Sequence, residues 1–178
     1  MTQDTSNVMN YSFRIVRAEP KDVPCICAMI YELAEYERLT HLVVATKEQI
    51  AAALFKETPA VEILLGWENE QAVAFALFFH NFSTFLGRRG LYLEDLFVRP
   101  AFRRKGYGRA LLIYLARLAE ERQCGRFEWA VLDWNEQAIQ FYLGLGATVM
   151  PDWRITRVTG PALTQLASQP LFQNREES

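Results

Sequence analysis

The feature that most constrains the fold is the stretch at residues 91–112, LYLEDLFVRPAFRRKGYGRALL. Apolar residues around Glu94 and Asp95 predict a strand, and Pro100, which cannot donate a backbone hydrogen bond, predicts its end. A short loop with two glycines follows, and a helical pattern begins directly after it at Arg109. A strand, a glycine loop and a helix in this order expose backbone N–H groups at a helix N-terminus, an arrangement that suits phosphate.

Gly106 and Gly108 of this loop would let the backbone approach a phosphate closely. The loop lacks the Gly-Lys-Ser/Thr ending of a P-loop and the third glycine of the Rossmann fingerprint. Its spacing, Arg-x-x-Gly-x-Gly after an LEDLFV strand, resembles the acetyl-CoA loop of the GNAT superfamily of N-acetyltransferases, on which the coenzyme A pyrophosphate lies. The six loop residues alone would equally fit a plain strand-to-helix turn with basic surface residues.

The composition is typical of a soluble globular protein. The chain has 178 residues, of which 51% are hydrophobic and 22% charged, and its formal net charge is -2, so we expect a substantial core and no nucleic-acid partner. No apolar run approaches the ~20 residues of a membrane span, and residues 1–10 do not have the pattern of a signal peptide. Three cysteines, an odd number, argue against a disulfide framework and predict a reducing, cytoplasmic location.

The hydrophobic pattern predicts strands and helices along a single domain, residues 1–178, with 1–10 and 169–178 flexible. Short apolar or alternating runs predict strands at 12–17, 60–67, 72–82, 91–98, 127–132, 148–150 and 155–158. Helical spacing and capping residues predict helices at 22–38, 46–55, 107–123, 135–145 and 160–167. A glycine-containing loop is expected at 83–90. This order indicates an α+β fold with one mixed sheet.

A second motif, NEQAIQFYLGLG, begins at Asn135. It resembles the other signature of the GNAT superfamily, Asn-x-x-Ala-x-x-Phe-Tyr-x-x-x-Gly, and it follows the glycine loop at the separation that the family shows. Core packing of an ordinary amphipathic helix would explain much of the same pattern. Together the two motifs imply the GNAT fold, a mixed, mostly antiparallel sheet flanked by helices, and acetyl-CoA as cosubstrate.

The resemblance narrows to the diamine (spermidine/spermine) N-acetyltransferase subfamily. The YLEDLFV strand, the segment ELAEYE at 32–37 and the closing stretch 153–166 carry this likeness, which extends from residue 13 to residue 167. The subfamily implies a homodimer in which both chains help to form the site. Polyamine enzymes have several acids after the first helix, where this chain has RLTHL at 38–42. Fewer acids give a weaker field for a polycation, so thialysine and other lysine-like amino acids remain alternative substrates.

The reaction that the resemblance implies is attack of an amine on a thioester, and it needs a proton acceptor and a proton donor. An alkylammonium with a pKa near ~10 must lose its proton before it can attack. Glu94 is the candidate that binds the ammonium and receives this proton, directly or through water, unless it merely faces solvent on an alternating strand. Tyr142, a phenol that is protonated at neutral pH, is the candidate donor to the leaving thiolate, unless it is simply a core tyrosine.

The resemblance also implies binding residues. Substrate contacts would come from Tyr36, Glu37, Glu94 and Asp95, although a solvated helix end would equally explain the first two. Contacts to the coenzyme would come from the strand, the loop and the second motif, namely Leu96, Phe97, Val98, Arg103, Arg104, Lys105, Gly106, Tyr107, Gly108, Arg109, Asn135, Ala138 and Tyr142. Asn135 would serve as a helix N-cap in either case.

The cysteines and histidines do not indicate a metal site. Cys25 and Cys27 are two apart on a predicted helix and so do not share a face, and His41 and His80 are isolated. Three functions remain open: acetyl transfer to a small-molecule amine, acetyl transfer to a protein or peptide amine, and a non-catalytic acyl-CoA-binding sensor. The presence of both candidate catalytic residues favours an enzyme.

Overall fold

The computed structural model describes residues 13–171. These residues form two compact units that divide between Ala130 and Val131, so the single-domain organisation stays a prediction. The segments 1–10 and 172–178, predicted to be flexible, lie outside the described residues. No helix within residues 13–171 is long and apolar enough to cross a membrane.

The first unit is built on a five-stranded sheet in the order β1-β2-β3-β4-β5. Its strands are β1 (Phe13–Arg17), β2 (Glu62–Glu68), β3 (Gln71–Ser83), β4 (Arg88–Val98) and β5 (Phe127–Trp129). Neighbouring strands pair antiparallel, except that β4 and β5 are parallel. The predicted α+β class with a mixed, mostly antiparallel sheet is therefore confirmed.

Each predicted helix is also confirmed, with its bounds shifted by a few residues. The first unit contains α1 (Val23–Glu37), α2 (Lys47–Phe55) and α3 (Tyr107–Glu121), and the second contains α4 (Glu136–Leu143) and α5 (Gly160–Ala167). The predicted capping box starts α2, because Gln49 N donates to Thr46 Oγ1 at 3.2 Å and Thr46 N donates to Gln49 Oε1 at 2.8 Å. Arg38, with a left-handed φ of 62°, ends α1.

Two predicted strands are wrong, and two other predictions have different bounds in the structure. Residues 148–150 and 155–158 adopt no regular secondary structure, because so short a strand needs a hydrogen-bonded neighbour and the structure describes none for either segment. The glycine-containing loop predicted at 83–90 is shorter in the structure, where residues 84–87 form a turn. Ser83 and Arg88 on either side of it pair as strand residues, and Leu86 N donates to Ser83 Oγ at 3.3 Å. The strand predicted to reach residue 132 ends at Trp129.

The core lies on both faces of β3. Residues 72–78 of this strand are all buried, as the continuous apolar run AVAFALF suggests for a strand covered on both sides. Phe75 and Leu77 belong to a buried cluster that includes Met29 of α1. On α3, Leu111 is fully buried. The sheet is therefore held between helices, and its strand ends carry the candidate site residues.

A β-bulge in β4 changes the face on which its side chains lie. Leu93 pairs with Phe78 and Asp95 pairs with Leu77, so Glu94 is an extra residue with no opposite partner in β3. Neighbouring residues of a strand lie on opposite faces of a sheet. Leu93 and Asp95 therefore lie on opposite faces as well, although they are only two residues apart. Asp95 shares the face of Leu77, which belongs to the cluster that packs against α1.

A close contact at Gly66 of β2 predicts that a larger residue there destabilises the fold. A Cβ at this position would lie 2.7 Å from the Phe13 ring and 3.1 Å from Ala74 Cβ. We expect Gly66→Ala to lower the free energy of unfolding by about 1–3 kcal/mol, measured by urea unfolding. In a Phe13→Ala background the same substitution should cost less, because the displaced ring is gone. An equal cost in both backgrounds would contradict this contact.

Candidate active site

The second half of β4 has an edge that β5 does not cover. β5 pairs with β4 only from Leu91 to Leu93, whereas residues 96–98 pair with β3 on their other side. Within residues 13–130, the β5 side of 96–98 therefore has no strand beside it. Backbone groups along this edge are placed to pair with an extended chain, as β-augmentation requires. This geometry suits a pantetheine arm, and the predicted contacts of Leu96, Phe97 and Val98 stay predictions.

The glycine loop brings the first turn of α3 close to the end of β4. Arg104 and Gly106 adopt left-handed φ values of 65° and 85°, and Gly106 is the N-cap of α3. A Cβ at Gly106 would meet no atom within 4 Å, and one at Gly108 would meet only Val98 Cγ2 at 3.6 Å. A glycine N-cap has no side chain for the N–H groups of the first turn, and such groups bind phosphate. The loop therefore fits the pyrophosphate of a coenzyme.

Arg103 connects this loop to the C-terminal end of α1. Its Nε donates to the carbonyl oxygen of Val98 at 3.0 Å, and its guanidinium carbon lies 4.4 Å from the ring centroid of Tyr36. The side chain is thus engaged with β4 and with a predicted substrate residue. Any contact that Arg103 makes with a pyrophosphate adds to this connecting role.

Lys105 connects the same loop to β2. Its Nζ donates to the two carboxylate oxygens of Glu68 at 2.8 and 3.2 Å, and Tyr107 Oη donates to Glu68 as well. Arg104 and Arg109 are exposed. Among the loop's predicted phosphate ligands, these two exposed arginines and the backbone N–H groups are the best placed to supply positive charge to a bound anion.

A half-buried ion pair that the sequence analysis missed fixes α1 beside the end of β4. Arg99 Nε and Nη2 donate to the Glu32 carboxylate at 2.8 to 3.1 Å, and Nη1 donates to the carbonyl oxygen of Ala72 at 2.9 Å. Arg99 thereby joins β3 to the helix whose last turn carries Tyr36 and Glu37. Because Glu32 and Arg99 are 67 residues apart, no local sequence pattern identifies the pair.

Three of the four predicted substrate residues form a carboxylate cluster: Glu37 at the end of α1, and Glu94 and Asp95 in β4. Burial, and after it the carboxylates of Glu94 and Glu37, together raise the pKa of Asp95 to about 6. Burial also raises the pKa of Glu37, while Glu94, the bulge residue, is exposed. Among the described residues, none of these three acids forms a salt bridge. Carboxylates held together in this way favour a bound cation.

The second unit carries the other predicted motif. Ala138 N donates to the Asn135 side chain at 3.3 Å, which confirms Asn135 as the N-cap of α4. Tyr142 lies in the last turn of that helix, and its ring centroid is 5.4 Å from that of Phe141. The coenzyme contacts of Asn135, Ala138 and Tyr142, and the role of the Tyr142 hydroxyl, stay predictions.

Three cysteines, Cys25, Cys27 and Cys124, are free thiols. No cluster of three or more His, Cys, Asp or Glu side chains within residues 13–171 is arranged to hold a metal ion. The expectation that the reaction uses no metal stays a prediction.

Comparison with known proteins agrees with these observations. The model of the acetyltransferase (GNAT) family matches residues 28–147. An L-ornithine N5-acetyltransferase of Arabidopsis thaliana is 37% identical over 195 aligned residues, which cover 84% of this chain and 86% of the relative. A thialysine N-epsilon-acetyltransferase of Caenorhabditis elegans is 36% identical, and the match covers 89% of this chain and 99% of the relative.

A solved structure of an integron cassette protein from the mobile metagenome of V. cholerae superposes with a TM-score of 0.75 at 26% identity, covering 89% of this chain and 99% of that one. The likeness therefore holds for the backbone as well as for the sequence. Since the family model spans more than half of the residues and contains both motifs, the chain belongs to the acetyltransferase (GNAT) family.

Proposed function

We propose that the acetyl acceptor is the side-chain amine of an amino acid similar to ornithine or thialysine. The chain is an N-acetyltransferase for small-molecule amines, and acetyl-CoA is the acetyl donor of its family. The names of two relatives that match most of the chain specify an ornithine N5-amine and a thialysine ε-amine. The observation that carries the proposal is the cluster of Glu37, Glu94 and Asp95, which suits a single ammonium group.

The charges near this cluster favour an amino acid over a polyamine. A polyamine carries several ammonium groups, and segment 38–42 supplies no acid to bind a second one. Arg103 contributes a positive charge beside Tyr36, which suits the carboxylate of an amino acid and repels an additional ammonium. A diamine or polyamine is therefore the second candidate.

Two residues carry the proton transfers in this proposal. Glu94, directly or through a water, accepts the proton of the bound ammonium, so that the neutral nitrogen attacks the thioester carbonyl. As the new C–N bond forms and the C–S bond breaks, the hydroxyl of Tyr142 donates a proton to the leaving sulfur. The attacking nitrogen then loses its second proton to solvent, which yields the neutral amide, and solvent returns a proton to the Tyr142 phenolate. Asp95 and Glu37 hold the ammonium in place before the transfer.

The resemblance and the composition support two further proposals, a homodimer and a cytoplasmic location. Both chains of a homodimer would help to form the site. A reducing compartment suits the three free thiols.

Turnover of acetyl-CoA with a panel of amines tests the proposed acceptor. The panel contains L-ornithine, thialysine, L-lysine, putrescine, spermidine and a lysine-containing peptide, and the rate of thiol release gives kcat/KM for each. We expect the free amino acids to have higher values than the polyamine and the peptide. A preference for spermidine or for the peptide would refute the proposed substrate class, and the absence of acetyl-CoA turnover with every amine would refute the proposed reaction.

The role of Tyr142 predicts a rate loss that spares the fold. Tyr142→Phe removes one hydroxyl and keeps the ring, so we expect kcat to fall roughly ten- to a thousandfold, within or below the range for one general acid. The thiol of coenzyme A has a pKa of about 8.5, so some rate remains without help. Tyr114→Phe changes a tyrosine on α3 that is 37% exposed and should leave kcat unchanged. Full turnover by the Tyr142 variant would exclude the hydroxyl from the chemistry.

The raised pKa of Asp95 predicts that stability depends on pH. The pKa of this carboxyl rises from 3.8 to about 6 in the fold, so the folded chain binds the proton more tightly than the unfolded chain does. Protonation therefore stabilises the fold, and this contribution is lost as pH rises through about 6. Between about pH 5 and about pH 7.5, we expect this group to lower the free energy of unfolding by roughly 1.4 kcal/mol, measured by urea unfolding.

Asp95→Asn should remove this pH dependence and should be more stable than the wild-type protein at about pH 7.5. If Asp95 also binds the substrate ammonium, the same variant should have a higher KM for the amine, so that it gains stability and loses substrate affinity. Asp152→Asn alters an exposed acid of the second unit and should change neither property. A wild-type pH dependence in Asp95→Asn would show that another group titrates.

A further inference from the structure

Glu68, at the end of β2, is a buried carboxylate with two partners in the glycine loop. Its side chain is 4% exposed. It accepts hydrogen bonds from Lys105 Nζ at 2.8 Å and from Tyr107 Oη at 2.5 Å. These two donors hold the pKa of Glu68 below its ordinary value, so the carboxylate stays charged. Lys105 and Tyr107 lie on either side of Gly106, the N-cap of α3.

Aromatic contacts fix the same two side chains further. The ring of Tyr107 stacks on that of Phe13, with centroids 3.9 Å apart and planes inclined by 2°. The Lys105 ammonium lies 5.1 Å from the ring centroid of Phe102. Tyr107 is thereby held between β1 and the carboxylate of Glu68, and its backbone N–H group belongs to the turn that faces a bound phosphate.

The backbone of the loop requires such support. Arg104 has a φ of 65°, a left-handed conformation that costs energy for a residue with a Cβ and persists only when its surroundings determine it. Arg103, the preceding residue, donates a hydrogen bond to the Val98 carbonyl oxygen, and Lys105, the following residue, donates one to Glu68. The conformation of Arg104 is thus held between two anchored neighbours.

We propose that Glu68 is a positioning residue that holds the pyrophosphate-binding loop in its binding conformation before the coenzyme arrives. The carboxylate touches neither substrate nor coenzyme and acts through Lys105 and Tyr107. Because a preformed loop loses less conformational entropy on binding, Glu68 increases affinity for the phosphate-bearing part of acetyl-CoA. This inference rests on the proposed use of acetyl-CoA and on the assignment of its pyrophosphate to the loop.

The chain offers a matched control at the other end of α3. Glu62, the first residue of β2, accepts hydrogen bonds from Arg122, the C-cap of α3. Thus β2 holds α3 at both ends through carboxylates, Glu68 at the coenzyme end and Glu62 at the far end. A helix of 15 residues is about 22 Å long, so Glu62→Gln loosens the same helix far from the loop.

The experiment compares two acetyl donors in each variant. Acetyl-CoA contains the pyrophosphate, whereas S-acetylpantetheine has the same thioester and arm without it. The ratio of their kcat/KM values, measured with L-ornithine, reports on recognition of the phosphates, and it is independent of how much of a variant is folded. We expect Glu68→Gln to lower this ratio about tenfold, because the neutral amide cannot form an ion pair with Lys105. Tyr107→Phe, which keeps the ring stack, should lower it by a smaller factor, and Glu62→Gln should leave it unchanged.

Other outcomes would overturn the inference. Equal losses with both donors would show that Glu68 only stabilises the fold, and an unchanged or larger ratio would show that it does not prepare the loop. A ratio that falls equally in Glu62→Gln would assign the effect to α3 as a whole. Wild-type protein that does not bind coenzyme A in calorimetry would refute the proposed function itself, whereas wild-type binding with an unaltered ratio in Glu68→Gln refutes only the role of Glu68.

Discussion

The bulge at Glu94 is the constraint on which the arrangement of the site depends. One additional residue in β4 reverses the faces of the residues that follow, so that Leu93 packs in the core while Asp95 lies on the α1 side of the sheet. Beyond Leu93 the parallel pairing with β5 stops. A single irregularity therefore lies where Asp95 comes onto the α1 side of the sheet and where the β4 edge that we predict to bind the coenzyme begins.

The glycine loop after β4 depends in turn on groups that lie outside it. Its left-handed Arg104 lies between Arg103, which is bound to β4 and stacked on Tyr36, and Lys105, which is bound to β2. These contacts connect the glycine loop to the C-terminal end of α1, which carries two of the predicted substrate residues. Burial and the carboxylates of Glu94 and Glu37 raise the pKa of Asp95 to about 6, and a bound ammonium would offset the repulsion among these acids.

The sequence was informative wherever local chemistry decides the structure. The glycine loop, the capping box at Thr46 and the Asn135 N-cap all have short-range signals, and all are present. Long-range pairs have no such signal, which is why the local sequence identifies neither the partners of Glu68 nor those of Arg99. The bulge was also missed, because alternation along β4 gives no indication of an extra residue. The predicted strands at 148–150 and 155–158 were wrong for the same reason, because strand formation depends on a partner that the local sequence does not specify.

The hydrogen bonds that Glu68 of β2 accepts from Lys105 and Tyr107 limit how the glycine loop can be transferred to another protein. Glu68 precedes Lys105 by 37 residues, so the loop proposed to bind the phosphates and the residue proposed to hold it lie far apart in the sequence. A chimera that receives only β4, the loop and α3 would contain Lys105 and Tyr107 without the buried carboxylate of Glu68. The Lys105 ammonium and the Tyr107 hydroxyl would then lack this hydrogen-bond acceptor. Transfer of the glycine loop to another protein therefore requires that the end of β2 be transferred as well.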